Sequence, residues 1–108
     1  MSELKWSYDE FLAFLLIYIS HVDMEFTDNE KEYVKIKSGE SNFDKMMAEF
    51  DTMTDYQAFE TILAYKGVYY PTPEQKQELI DKMIAIFHAD HEFNIMEKGL
   101  LQFMERMM

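Results

Sequence analysis

An eleven-residue stretch occurs twice in this chain, and most of what the copies share is ionisable. The first copy spans residues 21–31 and the second, 67 positions later, spans 88–98. Aligned without gaps, six positions are identical: His21/His88, Asp23/Asp90, Glu25/Glu92, Phe26/Phe93, Glu30/Glu97 and Lys31/Lys98. Repeated core patterns preserve apolar positions, whereas this one preserves charge. A tight hairpin could bring two or three carboxylates of each copy to one point. Clustered carboxylates repel, and a divalent cation relieves the repulsion. Asp23, Glu25, Glu30, Asp90, Glu92 and Glu97 are therefore the candidate metal ligands. Oxygen-only ligands select hard ions: calcium, magnesium or manganese. The second copy also has His88 and His91 flanking Asp90, so zinc is a further, lesser candidate there.

The twelve-residue calcium loop of the EF-hand is the obvious comparison. Asp23 to Glu30 matches its last eight positions, with Phe26 at position eight and Glu30 at twelve. Upstream, Ile19 and His21 fall where carboxylates are needed, and Met24 falls where glycine makes the sharp turn. An EF-hand is not the expected structure. The competing reading of the same residues is structural. Thr27 and Glu30 fit a capping box, and Asn94 and Glu97 a close variant. Loss of one cap costs about 0.5–2 kcal/mol, which is reason enough to keep those residues. Capping leaves Asp23, Glu25, Asp90 and Glu92 unexplained, because an acid at a helix C-terminus opposes the macrodipole. His21 and His88, on nearly apolar helices, read more simply as core histidines than as ligands.

The elements that must position these loops are helices. Capping boxes are read at Ser7/Glu10, Thr54/Gln57 and Thr72/Gln75, the last with Pro73 at the first helical position. Ser41 is a simpler cap. The patterns predict six helices, over 8–22, 28–37, 42–51, 55–66, 73–89 and 95–107. The first is apolar almost all round, from Phe11 to Ile19, and so belongs in the middle of a bundle. The second turns Tyr33, Val34 and the stem of Lys37 inward, and Gly39 suits the position after its end. Phe43, Met46, Met47 and Phe50 form a helical stripe on the third. Tyr56, Phe59, Ile62 and Leu63 do so on the fourth, and Leu79, Ile80, Met83, Ile84 and Phe87 on the fifth. Leu100, Leu101, Phe103, Met104 and Met107 are expected inward on the sixth, with Met107 and Met108 fraying. No segment alternates with period two, so the fold class is all-α.

The repeat extends into the apolar positions. Leu12, Leu16, Ile17, Ile19 and Val34 align with Leu79, Met83, Ile84, Ile86 and Leu101. The unit is a helix–loop–helix hairpin, covering about 8–37 and 75–105. Two such hairpins can bury their faces by packing about a pseudo-two-fold axis.

With 108 residues, the chain is expected to form one domain, 1–108. The formal charge of −11 repels phosphate backbones, which excludes nucleic acid and favours cations or a basic protein partner. Without cysteine there is no disulfide, thiolate zinc site or cysteine nucleophile. The longest apolar run, Phe11 to Ile19, falls far short of the roughly 20 residues that span a bilayer. It also lacks the basic flank and cleavage site of a leader. Membrane insertion is not expected, and the cytoplasm is the expected compartment. Ten methionines suggest core filler with an adaptable helix-binding groove as the alternative. Trp6 and Tyr8 should lid the bundle, and the loop of Val68, Tyr69 and Tyr70 should cover a core edge or form a contact patch. No nucleophile triad, phosphate-cradling glycine loop or His-Glu-x-x-His motif occurs, so no enzyme is expected.

Two copies of a helix ending in His-x-Asp, a short acidic loop and a following Glu resemble the TerB-like family of tellurite-resistance proteins. His21, Asp23 and Glu30, and His88, Asp90 and Glu97, stand where that family carries its Ala-Asp-Gly…Glu signature. The likeness covers roughly residues 8 to 105. It departs from the family at Met24 and His91, which replace glycine. The resemblance implies an all-α bundle and a stress-response role linked to tellurite resistance. It also implies metal binding by the residues matching the motif: Asp23, Glu30, Asp90 and Glu97. Two functional expectations stand side by side. One is a non-enzymatic stress-response module binding a divalent cation through two acidic loops. The other is a structural protein–protein interaction domain, homo-oligomeric or with another protein, with no metal site.

Overall fold

One helix is buried on all its sides, and the others are laid around it. The computed structural model describes residues 6–22, 28–88 and 95–108, with positions 22, 87 and 95–97 described in their backbone only. The elements are α1 (Tyr8–Val22), α2 (Asp28–Ser38), α3 (Glu40–Asp51), α4 (Asp55–Ala64), the single turn α5 (Lys66–Tyr69), α6 (Pro73–Phe87) and α7 (Ile95–Met107). The fold is all-α, a bundle of six helices and one added turn, with no strand among the described residues. None of the described helices is long and apolar enough to cross a membrane.

Every residue from Phe11 to Ile19 is buried, as is Ser20. A helix with apolar residues on every face has no side to give to water, so it takes the centre. Accordingly α1 packs against α2, α3, α4 and α6. Full burial of each large apolar side chain contributes roughly 1.5–3 kcal/mol, so this stretch supplies much of the core. Its start is fixed by the expected capping box: Ser7 N donates to Glu10 Oε1 at 2.8 Å, and Glu10 N donates to Ser7 Oγ at 3.2 Å. Glu10 also pairs with Lys45 of α3.

Between α2 and α3 the chain turns on one residue. Gly39 has φ 98°, a left-handed conformation that L side chains rarely adopt, and its amide donates to Lys35 O. That turn starts α3 at Glu40, two residues earlier than expected, and leaves Ser41 inside the helix rather than at its cap. The Thr54 box is complete, with Thr54 N to Gln57 Oε1 at 2.9 Å and Gln57 N to Thr54 Oγ1 at 3.1 Å. α4 stops at Ala64, short of the expected 66, because Tyr65 departs from helical geometry as a C-cap. Gly67 does not break the chain; it lies inside α5. Thr72 caps α6 through Gln75 N at 3.2 Å. α6 ends at Phe87, with His88 as its cap.

The repeated apolar positions largely match in burial. Leu12/Leu79, Leu16/Met83, Ile19/Ile86 and Val34/Leu101 are all buried pairs, while Ile17 is buried and Ile84 only partly so. The hairpins nevertheless occupy unequal places. α1 is central, whereas α6 keeps a polar outer face with Gln77, Glu78 and Asp81 exposed. Three further expectations are corrected. Lys37 is exposed, its ammonium lying over the Tyr33 ring at 5.7 Å, and Ser38 takes the inward place one turn beyond Val34, donating to Val34 O at 2.6 Å. Met108 does not fray: it is buried and its amide donates to Met104 O at 2.9 Å. Tyr56, Phe103 and Met107 are exposed rather than inward.

Candidate functional site

Of the six candidate ligands, Asp23, Glu25, Asp90 and Glu92 lie outside the described residues, as do Thr27 and Asn94 of the two loop caps. Glu97 lies in the first turn of α7, but its side chain is outside the description. Glu30 alone is placed, and it is wholly buried in the first turn of α2. Its position follows from helical spacing. Glu30, Val34 and Ser38 recur every four residues and are the buried residues of α2, so Glu30 heads that helix's inward stripe. A carboxylate there also sits favourably at the positive end of the helix dipole. The sequence places Glu30 in the first turn of the second helix, as a cap or a ligand; the structure keeps it there and turns it into the helix's packed face. Among the described residues no group of three or more His, Asp and Glu side chains is placed to hold a metal ion.

The paired histidines are not equivalent. His21 Nδ1 lies 2.9 Å from Ile17 O, one turn back on α1, and its ring packs on Phe50 at 4.7 Å between centroids. It is held as a core-edge histidine. His88 is exposed, and its amide closes α6 on Ile84 O.

An aromatic cluster covers the start of α1. Trp6 stacks on Tyr65 at 5.3 Å and packs against Phe14 at 4.7 Å, while Tyr69 and Tyr70 lie on Phe11 at 5.5 and 5.9 Å. Backbone and hydroxyl bonds fix the lid: Trp6 N donates to Tyr65 Oη at 3.0 Å, and Tyr69 Oη donates to Trp6 O. Tyr70 Oη donates to Ile62 O at 2.8 Å, and burial pushes its phenol up to about 12. These residues do cover a core edge, as the loop sequence suggested, and only Val68 of that segment faces outward.

A different surface is left open. Tyr56, Phe59 and Leu63 on α4 are spaced i, i+3, i+7, and Leu100, Phe103 and Met107 on α7 repeat that spacing. Each trio forms one helical stripe beside its helix's buried face. The stripes meet where Phe59 and Phe103 stand 5.5 Å apart, and Tyr18 of α1 lies beneath Phe59 at 6.2 Å. Phe59, Leu63 and Leu100 are partly buried, whereas Tyr56, Phe103 and Met107 are 69%, 42% and 44% exposed. The result is a partly exposed apolar seam where α4 and α7 touch through one ring pair, backed by Tyr18 of α1. Sequence periodicity found the six residues, but it could not tell a stripe that completes the core from one that flanks it.

Its electrical character is uneven. On the α4 side, Asp55 and Glu60 are exposed. The nearby Asp55 carboxylate adds to the effect of burial in raising the Tyr18 phenol above its ordinary value. Glu60 holds the Tyr56 phenol protonated by accepting its hydrogen bond. On α7, Arg106 is exposed next to the stripe, whereas Lys98 and Glu105 are exposed on the helix's opposite side. Comparison with known proteins returns no match to any family model, curated protein or solved structure.

Proposed function

We propose that this chain is a non-catalytic helical interaction domain that presents a partner-binding surface between α4 and α7. The observation that carries the reading is the pair of apolar stripes on α4 and α7, in contact at Phe59 and Phe103 and exposed at Tyr56, Phe103 and Met107. Exposed apolar side chains are ordinary when scattered singly, but contiguous ones rimmed by charge mark places where proteins associate. Large aromatic and methionine side chains are also the types enriched at such interfaces. Burial of Glu30 in the packed face of α2 supports the structural role of the repeat's conserved acids over a role as open-loop ligands. On this reading the duplicated acids chiefly serve helix ends and charge. The TerB-like resemblance rests on its motif positions, and the stress-response and metal-binding roles it implies rest there with it.

Two arms test the proposal. Chelator-treated protein is melted alone and with millimolar calcium, magnesium, manganese or zinc. The interaction reading expects no ion-specific rise in Tm. A rise of several degrees with one ion, lost in Asp23→Asn with Asp90→Asn, would instead establish the metal module. In the second arm, immobilised protein is compared with its Tyr56→Ala/Met107→Ala variant for capture of proteins from extract. The reading expects capture to fall in this variant and to survive in the double Asn variant. Equal capture by all three proteins counts against it.

A further inference from the structure

We infer that α7 is a latch: it unfolds and refolds as a unit while the body formed by α1 to α6 stays folded. Attachment is the first argument. Among the described residues α7 packs chiefly against α6, whereas α1 packs against four helices. Of the described side chains of α7, Leu101 and Met104 are buried, with Met108 just past its end, while Gln102, Phe103, Glu105, Arg106 and Met107 are exposed. Contact with α4 comes through the Phe59–Phe103 ring pair. A clasp holds the far end, where Lys76 Nζ in the first turn of α6 donates to Glu105 O. Beside it lies a cleft of about 270 Å³ lined by Pro73, Lys76, Gln77, Ile80 and Glu105, so the two helices do not close on one another there. Elements with few buried apolar contacts and much exposed backbone open at a lower free energy than the whole fold.

The second argument lies inside the helix. Gly99 sits in the first half of α7, and a Cβ added there would meet nothing within 4 Å, so no close approach requires glycine. A helical glycine weakens its helix against the unfolded form. An isolated helix of 13 residues is marginal in water, so α7 does not persist once it leaves α6. By contrast α1, buried from Phe11 to Ile19, cannot leave without opening the core. The inference stands on packing and does not need the interaction reading, but it bears on the same surface. Phe103 and Met107 leave with α7, so a partner touching both apolar stripes binds the closed form and holds the latch shut.

Native-state hydrogen exchange of the full chain in rising, sub-denaturing urea tests the latch, with amides of 99–107 compared with those of 12–20. The α7 amides should converge on one opening equilibrium, populated roughly tenfold or more above that of α1 and with a shallower urea dependence. Two variants separate the latch from global unfolding. Thr54→Ala weakens α4, which stays folded when the latch opens, so it should speed α1 exchange about fivefold and leave α7 exchange unchanged. Gly99→Ala should slow α7 exchange about fivefold, and α1 exchange equally, because both openings unfold α7. A single opening free energy shared by α1 and α7, or equal acceleration of both in Thr54→Ala, would overturn the inference. So would α7 amides that each keep their own rate and urea dependence, because that is fraying and not a unit. An α7 rate unchanged in Gly99→Ala would overturn it too, since the opening would then leave the helix intact.

Discussion

At the scale of single residues, the buried polar groups are what the sequence concealed. Glutamate is almost never fully buried, so Glu30 read as a cap or ligand at the start of α2, and only its place in the 30/34/38 spacing hinted at its burial. Replacing Glu30 by Ala removes a side chain from a packed face, and should destabilise the fold by about 2 kcal/mol in urea titration. A Glu30→Ala variant as stable as the parent would show that this face does not depend on the side chain. Tyr70 is the clearer case. Its hydroxyl is enclosed and satisfied by Ile62 O, so Tyr70→Phe should cost about 1 kcal/mol at neutral pH. The same residue sets an alkaline limit. A phenol whose folded pKa is raised from 10.0 to about 12 contributes stability that is present below pH 10 and lost as pH rises from there through about 12. Melts across that range should show a falling limb in the parent and a flatter one in Tyr70→Phe. Identical limbs would remove Tyr70 as the cause.

At the scale of elements, helix starts were legible and inward faces only partly so. The Ser7, Thr54 and Thr72 caps all form bonds in the structure, because a cap is a local contract between a side chain and an amide three residues on. Thr54→Ala should therefore cost about 1 kcal/mol in thermal or urea melts, with Thr54→Ser near neutral. The Gly39 turn was legible as an end but not as a beginning. Its residue type announces a left-handed turn, yet the sequence does not say that one residue will serve as both the exit of α2 and the cap of α3. An alanine there would need φ near 98° and would bring a Cβ to 3.4 Å from Asn42 Nδ2. Gly39→Ala should destabilise by about 1–2 kcal/mol, whereas the same change at the exposed helical Gly99, where a Cβ meets nothing, should stabilise. Facing is a matter of tertiary neighbours, and that is where pattern reading fell short. Tyr56, Phe103 and Met107 sit at helical spacing from buried residues, but no described helix covers them. The Glu10 cap adds a pH dependence of the opposite sign. The Lys45 hydrogen bond and then the Ser7 amide hold its carboxyl below the ordinary 4.5. That contribution is present above the unfolded value and is lost as pH falls through the folded one.

At the scale of the whole molecule, charge and packing oppose one another. The core is organised by a single all-apolar helix, which the sequence made legible, while the chain carries 21 acids against 10 bases. The principal extents are 38 × 29 × 24 Å, so acids on opposite sides lie a few tens of ångströms apart. The Debye length is about 30 Å at 0.01 M salt and about 8 Å at 0.15 M. Self-repulsion therefore reaches across the molecule in dilute buffer and is confined to near neighbours at physiological salt. Tm should rise by several degrees between these two conditions in NaCl and then level off, because compact acidic chains are destabilised by their own field. The same experiment separates the two meanings of the acidic repeat. Screening depends on ionic strength, whereas a site depends on which ion is present. At matched ionic strength, MgCl2, CaCl2 and MnCl2 should then match NaCl closely if the repeated acids serve only helix ends and surface charge. A divalent excess of several degrees that disappears in Asp23→Asn/Asp90→Asn would mean that the repeat preserves charge in order to hold a cation. The metal module would then stand in place of the purely structural reading of the repeat.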